Sequence, residues 1–143
     1  MMRFLLDTTI ISHVIEPRPS EALLDWLGRQ ADQDLAIASL TVAEIRRGIL
    51  DMPHGKRREN LEAWFSGPEG PQALFGGRVL AFDEKAALAW AALMADGKAR
   101  GRPRSALDTI IAAVAQVHGC VVVTDNERDF DGVETLNPLK PTA

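Results

Sequence analysis

Short, uninterrupted apolar runs set the strongest limit on how this chain folds. Four of them stand well apart along the sequence: RFLLD at 3–7, LAIAS at 35–39, RVLAF at 78–82 and CVVVT at 120–124. A strand with one face in water alternates apolar and polar residues, whereas these runs are apolar almost throughout. They therefore predict short strands of a sheet that is covered on both faces.

Helical patterns occupy the intervals between those runs, with Ser20 and Ser105 as the predicted N-caps of two helices. VETLNP at 133–138 is a weaker candidate for a fifth strand. Strands that alternate with helices are typical of β–α–β units and parallel sheets. We expect one α/β domain over 1–143, with a central, mostly parallel β-sheet of four to five strands flanked by helices.

Composition narrows the function classes. No apolar run approaches the roughly 20 residues of a membrane span, and the N-terminus lacks an apolar signal core, so we expect no membrane association. The single cysteine, Cys120, falls in a predicted buried strand, which agrees with a reducing cytoplasm. The net charge of −4 at pH 7 gives no global sign of nucleic-acid binding. Local basic patches or bound cations would have to attract a nucleic acid.

Three acids each have an ordinary structural explanation. Asp7 follows the first predicted strand and suits the N-cap of the next helix. Glu44 stands three residues after Thr41, the spacing of a capping box, and Asp108 stands three residues after Ser105 in a looser version. Considered singly, none of these acids requires a functional site.

The same acids point to chemistry when they are considered together. Helix starts in a parallel sheet lie at one edge, so Asp7, Glu44 and Asp108 are expected to converge there. Asp125 and Asp129 follow another predicted strand. Carboxylates at short range destabilise one another unless protons or cations intervene, and a hard ion such as Mg²⁺ or Mn²⁺ prefers oxygen ligands. The pattern predicts a metal centre of the kind that hydrolyses phosphodiesters.

Four blocks of the chain resemble a known family. RFLLDTTIIS, SLTVAEIRRGI, SALDTIIAAVA and VVVTDNERDFDGVETLNP occur in the order and approximate spacing seen in PIN-domain proteins. The chain resembles the VapC-type toxin ribonucleases, especially the FitB-like branch, over nearly its whole length. The resemblance implies a PIN-like fold and a Mg²⁺-dependent endoribonuclease that is the toxin of a type II toxin–antitoxin system.

The resemblance also implies roles for individual residues. Asp7, Glu44 and Asp108 match the acidic metal-binding positions, and Asp129 is the preferred fourth acid, with Asp125 as second choice. Asp7 and Asp108 are expected to hold the main Mg²⁺ ion, with Mn²⁺ as an alternative, while Glu44 binds through water or orients the nucleophile. Hydrolysis by water is expected to leave a 5′-phosphate and a 3′-hydroxyl.

Two further features qualify the site. Thr9 stands where these proteins often have asparagine, so its hydroxyl would have to replace that amide. His13, His54 and His118 show no metal-ligand spacing, and a catalytic histidine is not expected.

Basic residues cluster before the predicted helix that carries Asp108. We expect this cluster to hold the RNA backbone by charge, although solvated surface charges are the competing explanation. Its members lie in GKARGRPR and are Lys98, Arg100, Arg102 and Arg104. The resemblance further implies a homodimer and an antitoxin that covers the acidic site, within a larger toxin–antitoxin assembly.

Two other functions fit parts of the pattern. A non-catalytic PIN-like module that binds RNA or a protein partner would use the fold without the chemistry. A phosphoacceptor receiver domain also places acids at strand ends, and Asp83 after RVLAF fits that role. No lysine stands at the end of the CVVVT strand, however, so the receiver domain ranks below the other two functions.

Overall fold

A parallel sheet forms the centre of the computed structural model, which describes residues 2–140. Met1 and residues 141–143, which the predicted domain includes, lie outside the described residues. The strands in spatial order 3-2-1-4-5 all run parallel, and each is short: β1 Phe4–Leu6, β2 Leu35–Ala38, β3 Val79–Leu80, β4 Val121–Val123 and β5 Thr135–Leu136. The prediction of an α/β fold with a mostly parallel sheet of four to five strands is confirmed.

Helices connect the strands and cover the sheet. Within residues 2–140 they are α1 Thr8–Val14, α2 Glu21–Gly28, α3 Ser39–Leu50, α4 Lys56–Ser66, α5 Pro71–Leu74, α6 Glu84–Ala99 and α7 Ala106–His118. Two 3₁₀ turns, Asp32–Asp34 and Glu127–Phe130, complete the set. The short α5 begins with a proline at its first helical position.

Adjacent residues of β1 face opposite sides of the sheet. Leu5 belongs to an apolar cluster with Leu93 of α6 and Ile111 of α7, whereas Leu6 belongs to a second cluster with Ile10 of α1 and Ile45 of α3. Strand residues alternate between faces, so an apolar residue is required at every position when both faces are covered. This explains the uninterrupted apolar runs of the sequence.

Helix ends follow the local sequence at several positions. The hydroxyls of Ser20 and Ser105 accept from the backbone nitrogens of Leu23 and Asp108, at 3.3 and 3.4 Å, and cap α2 and α7 as expected. Asp83 is the N-cap of α6 and accepts from the nitrogen of Ala86. Among residues 2–140, no helix combines the length and apolar character needed to cross a membrane.

The strand order creates a crevice between β1 and β4. The chain leaves β1 toward β2 and β3 on one side and returns to β4 and β5 on the other. Ligands of open α/β sheets bind beyond the carboxyl ends of the strands at such a reversal of strand order. Asp7 follows β1 and Thr124 follows β4, so both residues stand at the mouth of this crevice.

Candidate active site

Asp7 is a buried carboxylate fixed by three hydrogen bonds. Its side chain caps α1, with Oδ1 accepting from the Thr8 nitrogen at 2.8 Å. Oδ2 accepts from the hydroxyls of Thr124 at 2.8 Å and Thr9 at 3.0 Å. Burial raises the pKa of Asp7 above its ordinary value, and these hydrogen bonds offset only part of the rise. The expected N-cap role is present, but the carboxylate also joins β1 to β4.

Glu44 reaches the same crevice through Thr8. The Thr8 hydroxyl lies 2.6 Å from Glu44 Oε1 and 3.1 Å from the Thr41 hydroxyl, and the shorter contact to a carboxylate identifies Glu44 as the acceptor. The prediction that Thr41 and Glu44 form a capping box is wrong. Because α3 begins at Ser39, Thr41 lies inside the helix and is fully buried.

Asp108 lies in the first turn of α7 and is half-buried. Burial raises its pKa, and the negative charges of Asp129, Asp7 and Glu44 raise it further, against a hydrogen bond from Ser105. Asp108 therefore lies within electrostatic range of the other three acids that were expected to form the site. The four acids come from four separate stretches of the chain.

Asp129 and Asp125 occupy different parts of this region. Asp129 is exposed on the 3₁₀ turn, and its charge reaches Asp108. Burial acts to raise the pKa of Asp125, but hydrogen bonds from His13 and Thr9 and the His13 charge leave the pKa below its ordinary value. Asp125 Oδ1 is buried and has no hydrogen-bond partner within the described residues.

The donor chemistry of the crevice suits a hard divalent cation, because the acids offer only oxygen ligands. Asp7 Oδ1 accepts a single hydrogen bond and keeps a lone pair. Within residues 2–140, no three His, Cys, Asp or Glu side chains are already gathered around one point. A cation held here would take some ligands from water, as Mg²⁺ commonly does.

The basic residues before α7 divide into two kinds. Lys98, Arg100 and Arg102 are exposed, and Arg100 pairs with Asp96 at 3.0 Å. The Arg104 side chain is only 6% exposed; it pairs with Asp96 and Asp131, at 3.1 and 3.3 Å, and donates to the Leu93 carbonyl. The Arg104 charge is therefore already paired with two acids of the protein, which argues against the expected contact between Arg104 and RNA.

A small cleft lies beside Asp129. Its volume is about 150 Å³, and Arg102, Arg128 and Ser105 contribute to its walls. Arg128 was not among the expected RNA-binding residues. Its position in the 3₁₀ turn next to Asp129 places it in this wall, and only the fold of that turn reveals it.

His13 also lies at the site, although no histidine was expected there. Its Nε2 atom is 2.7 Å from Asp125 Oδ2. Thr9 and His13 are four residues apart on α1 and therefore share a face of that helix. The sequence signal that could have placed His13 near the site is this four-residue spacing, because Thr9 stands only two residues after Asp7. The Thr9 hydroxyl itself donates to Asp7 Oδ2.

The fold and these contacts define a class of protein: a doubly covered parallel α/β sheet with carboxylates gathered where the strand order reverses. The family model for the PIN domain matches residues 4–136. The chain therefore belongs to the PIN domain family, as the resemblance of the four sequence blocks implied.

Known relatives agree with this assignment. The VapC ribonuclease Y4jK of Sinorhizobium fredii is 38% identical over 138 residues, covering 95% of this chain and 97% of the relative. Toxin FitB of Neisseria gonorrhoeae is 35% identical over 136 residues, covering 94% and 96%. A structure of FitAB bound to a DNA fragment matches with a TM-score of 0.89 at 32% identity, covering 98% of both chains. The predicted likeness to VapC and FitB proteins is confirmed.

Removing the Asp108 charge is expected to stabilise the fold. A carboxyl group whose pKa is raised by folding contributes stability below the unfolded-state value of 3.8, and this contribution is lost as pH rises through the folded-state pKa. Asp108→Asn should therefore unfold at a higher urea concentration than the original chain at neutral pH. The difference should vanish as pH falls toward 3.8.

Asp25→Asn is the matched control, because Asp25 is exposed on α2. Its unfolding midpoint should follow that of the original chain throughout the pH range. Equal or lower stability of Asp108→Asn at neutral pH would contradict mutual repulsion among the acids.

Proposed function

We propose that this chain is a divalent-metal-dependent endoribonuclease and the toxin of a type II toxin–antitoxin pair. The observation that carries the proposal is the placement of Asp7 at the N-cap of α1 and Asp108 in the first turn of α7, where Asp108 lies within electrostatic range of Asp7, Glu44 and Asp129. Carboxylates that repel one another at a topological switch point are a natural seat for a cation. The names of the relatives, which include a ribonuclease and a toxin, support the same activity.

The chain's own residues orient the site. Thr9 and Thr124 hold Asp7, and Thr8 holds Glu44 Oε1, so neutral hydroxyls fix two carboxylates without cancelling their charge. We assign Asp7 and Asp108 to the main Mg²⁺ ion, with Mn²⁺ as an alternative. Glu44 acts through water or orients the nucleophile. An ion held by these residues would lower the pKa of a water molecule and offset charge on the phosphate.

The proposed substrate is RNA. Lys98, Arg100, Arg102 and Arg128 are exposed in the region before α7 and beside Asp129, where they would offset the repulsion between an acidic protein and a polyanion. Contacts of this kind bind the phosphate backbone without reading the bases. Scission by in-line attack of water leaves a 5′-phosphate and a 3′-hydroxyl.

An antitoxin is the proposed protein partner, as in the FitAB complex. Two cavities of about 220 and 840 Å³ lie side by side and form what we call the α1–α4 groove. Residues that line both cavities are Val14, Ile15, Trp64, Glu69 and Leu74. Val14 and Ile15 place the groove at the C-terminal end of α1, and Asp7 is the N-cap at the other end of that helix, so an apolar antitoxin segment that continued along α1 would approach the acids. A homodimer remains part of the proposal, with exposed Leu24 and Leu50 among the candidate contacts.

Metal-dependent RNA cleavage tests the activity. The purified chain should cleave single-stranded RNA with Mg²⁺ or Mn²⁺ and should lose this activity in excess chelator. Asp108→Asn should reduce the rate by about 10²- to 10³-fold, the effect typical of losing one group that stabilises transition-state charge. The products should carry 5′-phosphates, which a phosphate-dependent 5′-exonuclease detects.

Asp25→Asn should cleave at the original rate. Cleavage that persists unchanged in Asp108→Asn would trace to a contaminating nuclease. A folded chain that binds RNA but leaves it intact at every metal concentration would favour the non-catalytic PIN-like module.

RNA binding tests whether the exposed Arg102, which lines the cleft beside Asp129, contacts the substrate. In the Asp108→Asn background, Arg102→Ala should weaken binding of a single-stranded RNA and lower the salt slope of log K by about 0.7, the value for one lost contact. Fluorescence anisotropy at several salt concentrations measures both quantities. Arg29→Ala, an exposed arginine after α2, should change neither, and equal effects of both variants would contradict a local RNA site.

A matched pair of leucines tests the α1–α4 groove. Leu74 lines both cavities and is 54% exposed, whereas Leu88 on α6 is 67% exposed and lies outside the linings of both cavities. When the gene is expressed together with its adjacent upstream reading frame, Leu74→Asp should reduce copurification of that product and Leu88→Asp should not. Equal recovery with both variants would place the antitoxin elsewhere.

A further inference from the structure

His13 and Asp125 form a contact that the proposed chemistry does not use. His13 Nε2 lies 2.7 Å from Asp125 Oδ2, and the two residues are separated by 112 positions in the sequence. The contact joins α1 to the segment that follows β4, across the crevice between β1 and β4. Each side chain is 30% exposed, so solvent reaches the pair only in part.

The second oxygen of Asp125 makes this contact more than a link between two elements. Oδ1 is buried and lacks a hydrogen-bond partner within the described residues. Buried carboxylate oxygens are nearly always paired, and an exception calls for an ion or a water molecule to complete it. If the His13 contact only linked α1 to the segment after β4, Asp125 Oδ1 would not need to be buried without a hydrogen-bond partner.

Thr9 connects this pair to the acidic site. Its hydroxyl donates to Asp7 Oδ2 at 3.0 Å, and it also lies within hydrogen-bonding reach of Asp125. His13, Asp125, Thr9 and Asp7 therefore form a continuous chain of contacts. A displacement of Asp125 would reach the buried carboxylate through the Thr9 hydroxyl.

We propose that His13 is a positioning residue: it holds Asp125 by Oδ2 so that the buried Oδ1 is available to a divalent cation in the crevice. This inference rests on the proposed function. It makes Asp125, and not the exposed Asp129, the preferred fourth acid of the metal site. The hydrogen bond acts as outer partners of metal ligands do, by fixing the orientation of the coordinating group.

Mn²⁺ binding tests the inference without relying on cleavage. Electron paramagnetic resonance of free Mn²⁺ gives its affinity for the full chain. His13→Ala should weaken Mn²⁺ binding by about 10-fold, the lower end of the effect of removing an outer partner. His13→Gln keeps a donor near the Nε2 position and should restore most of the affinity. His54→Ala, which removes an exposed histidine before α4, should bind as the original chain does.

A double variant distinguishes positioning from a general loss of structure. If His13 acts through Asp125, His13→Ala combined with Asp125→Ala should bind Mn²⁺ no more weakly than Asp125→Ala alone. In RNA cleavage, His13→Ala should raise the Mn²⁺ concentration for half-maximal rate by about the same 10-fold factor and leave the rate at saturating Mn²⁺ nearly unchanged. Urea unfolding of each variant checks that the fold is retained.

The outcomes separate this inference from the proposed function. If the original chain cleaves RNA with Mn²⁺ and His13→Ala binds Mn²⁺ equally well, the role of His13 is refuted and the nuclease stands. Losses that simply add in the double variant would also refute it. A chain that neither binds Mn²⁺ nor cleaves RNA would refute both.

Discussion

Burial of the Asp7 carboxylate at the end of β1 is the constraint on which the rest of the centre depends. Only 3% of this residue is exposed, and a buried carboxylate is tolerated when donors surround it. One donor is the Thr124 hydroxyl, 117 positions away, and the Asp7 nitrogen donates in turn to the Val123 carbonyl at 2.9 Å. The two strands beside the switch point are therefore joined by the same residue that begins the acidic site.

Hydroxyl groups contact each of these acids. Thr8 binds Glu44, Ser105 binds Asp108, and Thr9 lies between Asp7 and Asp125. Neutral donors orient a carboxylate and leave its charge available, whereas an arginine would neutralise it. Arg104, the buried cation nearby, is paired with Asp96 and Asp131 instead. The crevice consequently keeps a negative field that opposes folding and favours a cation, as functional sites often do.

Particular residues show which expectations the sequence could support. The four apolar runs contain β1 to β4 because a strand covered on both faces leaves an unmistakable pattern. Thr41 and Glu44 had the spacing of a capping box, yet α3 begins two residues earlier and Thr41 turns into the core. The sequence predicted Arg104 to be one more exposed cation of a basic cluster. Its acid partners lie eight and 27 positions away, so the local pattern gives no sign of them. His13 has no metal-ligand spacing to another histidine, and its partner Asp125 is 112 positions away, so no local pattern points to their contact.

Local pattern by itself determined the parallel sheet, the helices between its strands and the placement of Asp7, Glu44 and Asp108 at helix starts or in early turns. These features depend on periodicity and capping, which act over a few residues. Tertiary structure alone decided that β4 lies beside β1, that Thr124 reaches Asp7 and that His13 meets Asp125. Such pairings follow from strand order and helix packing, which bring together residues with no shared local signal.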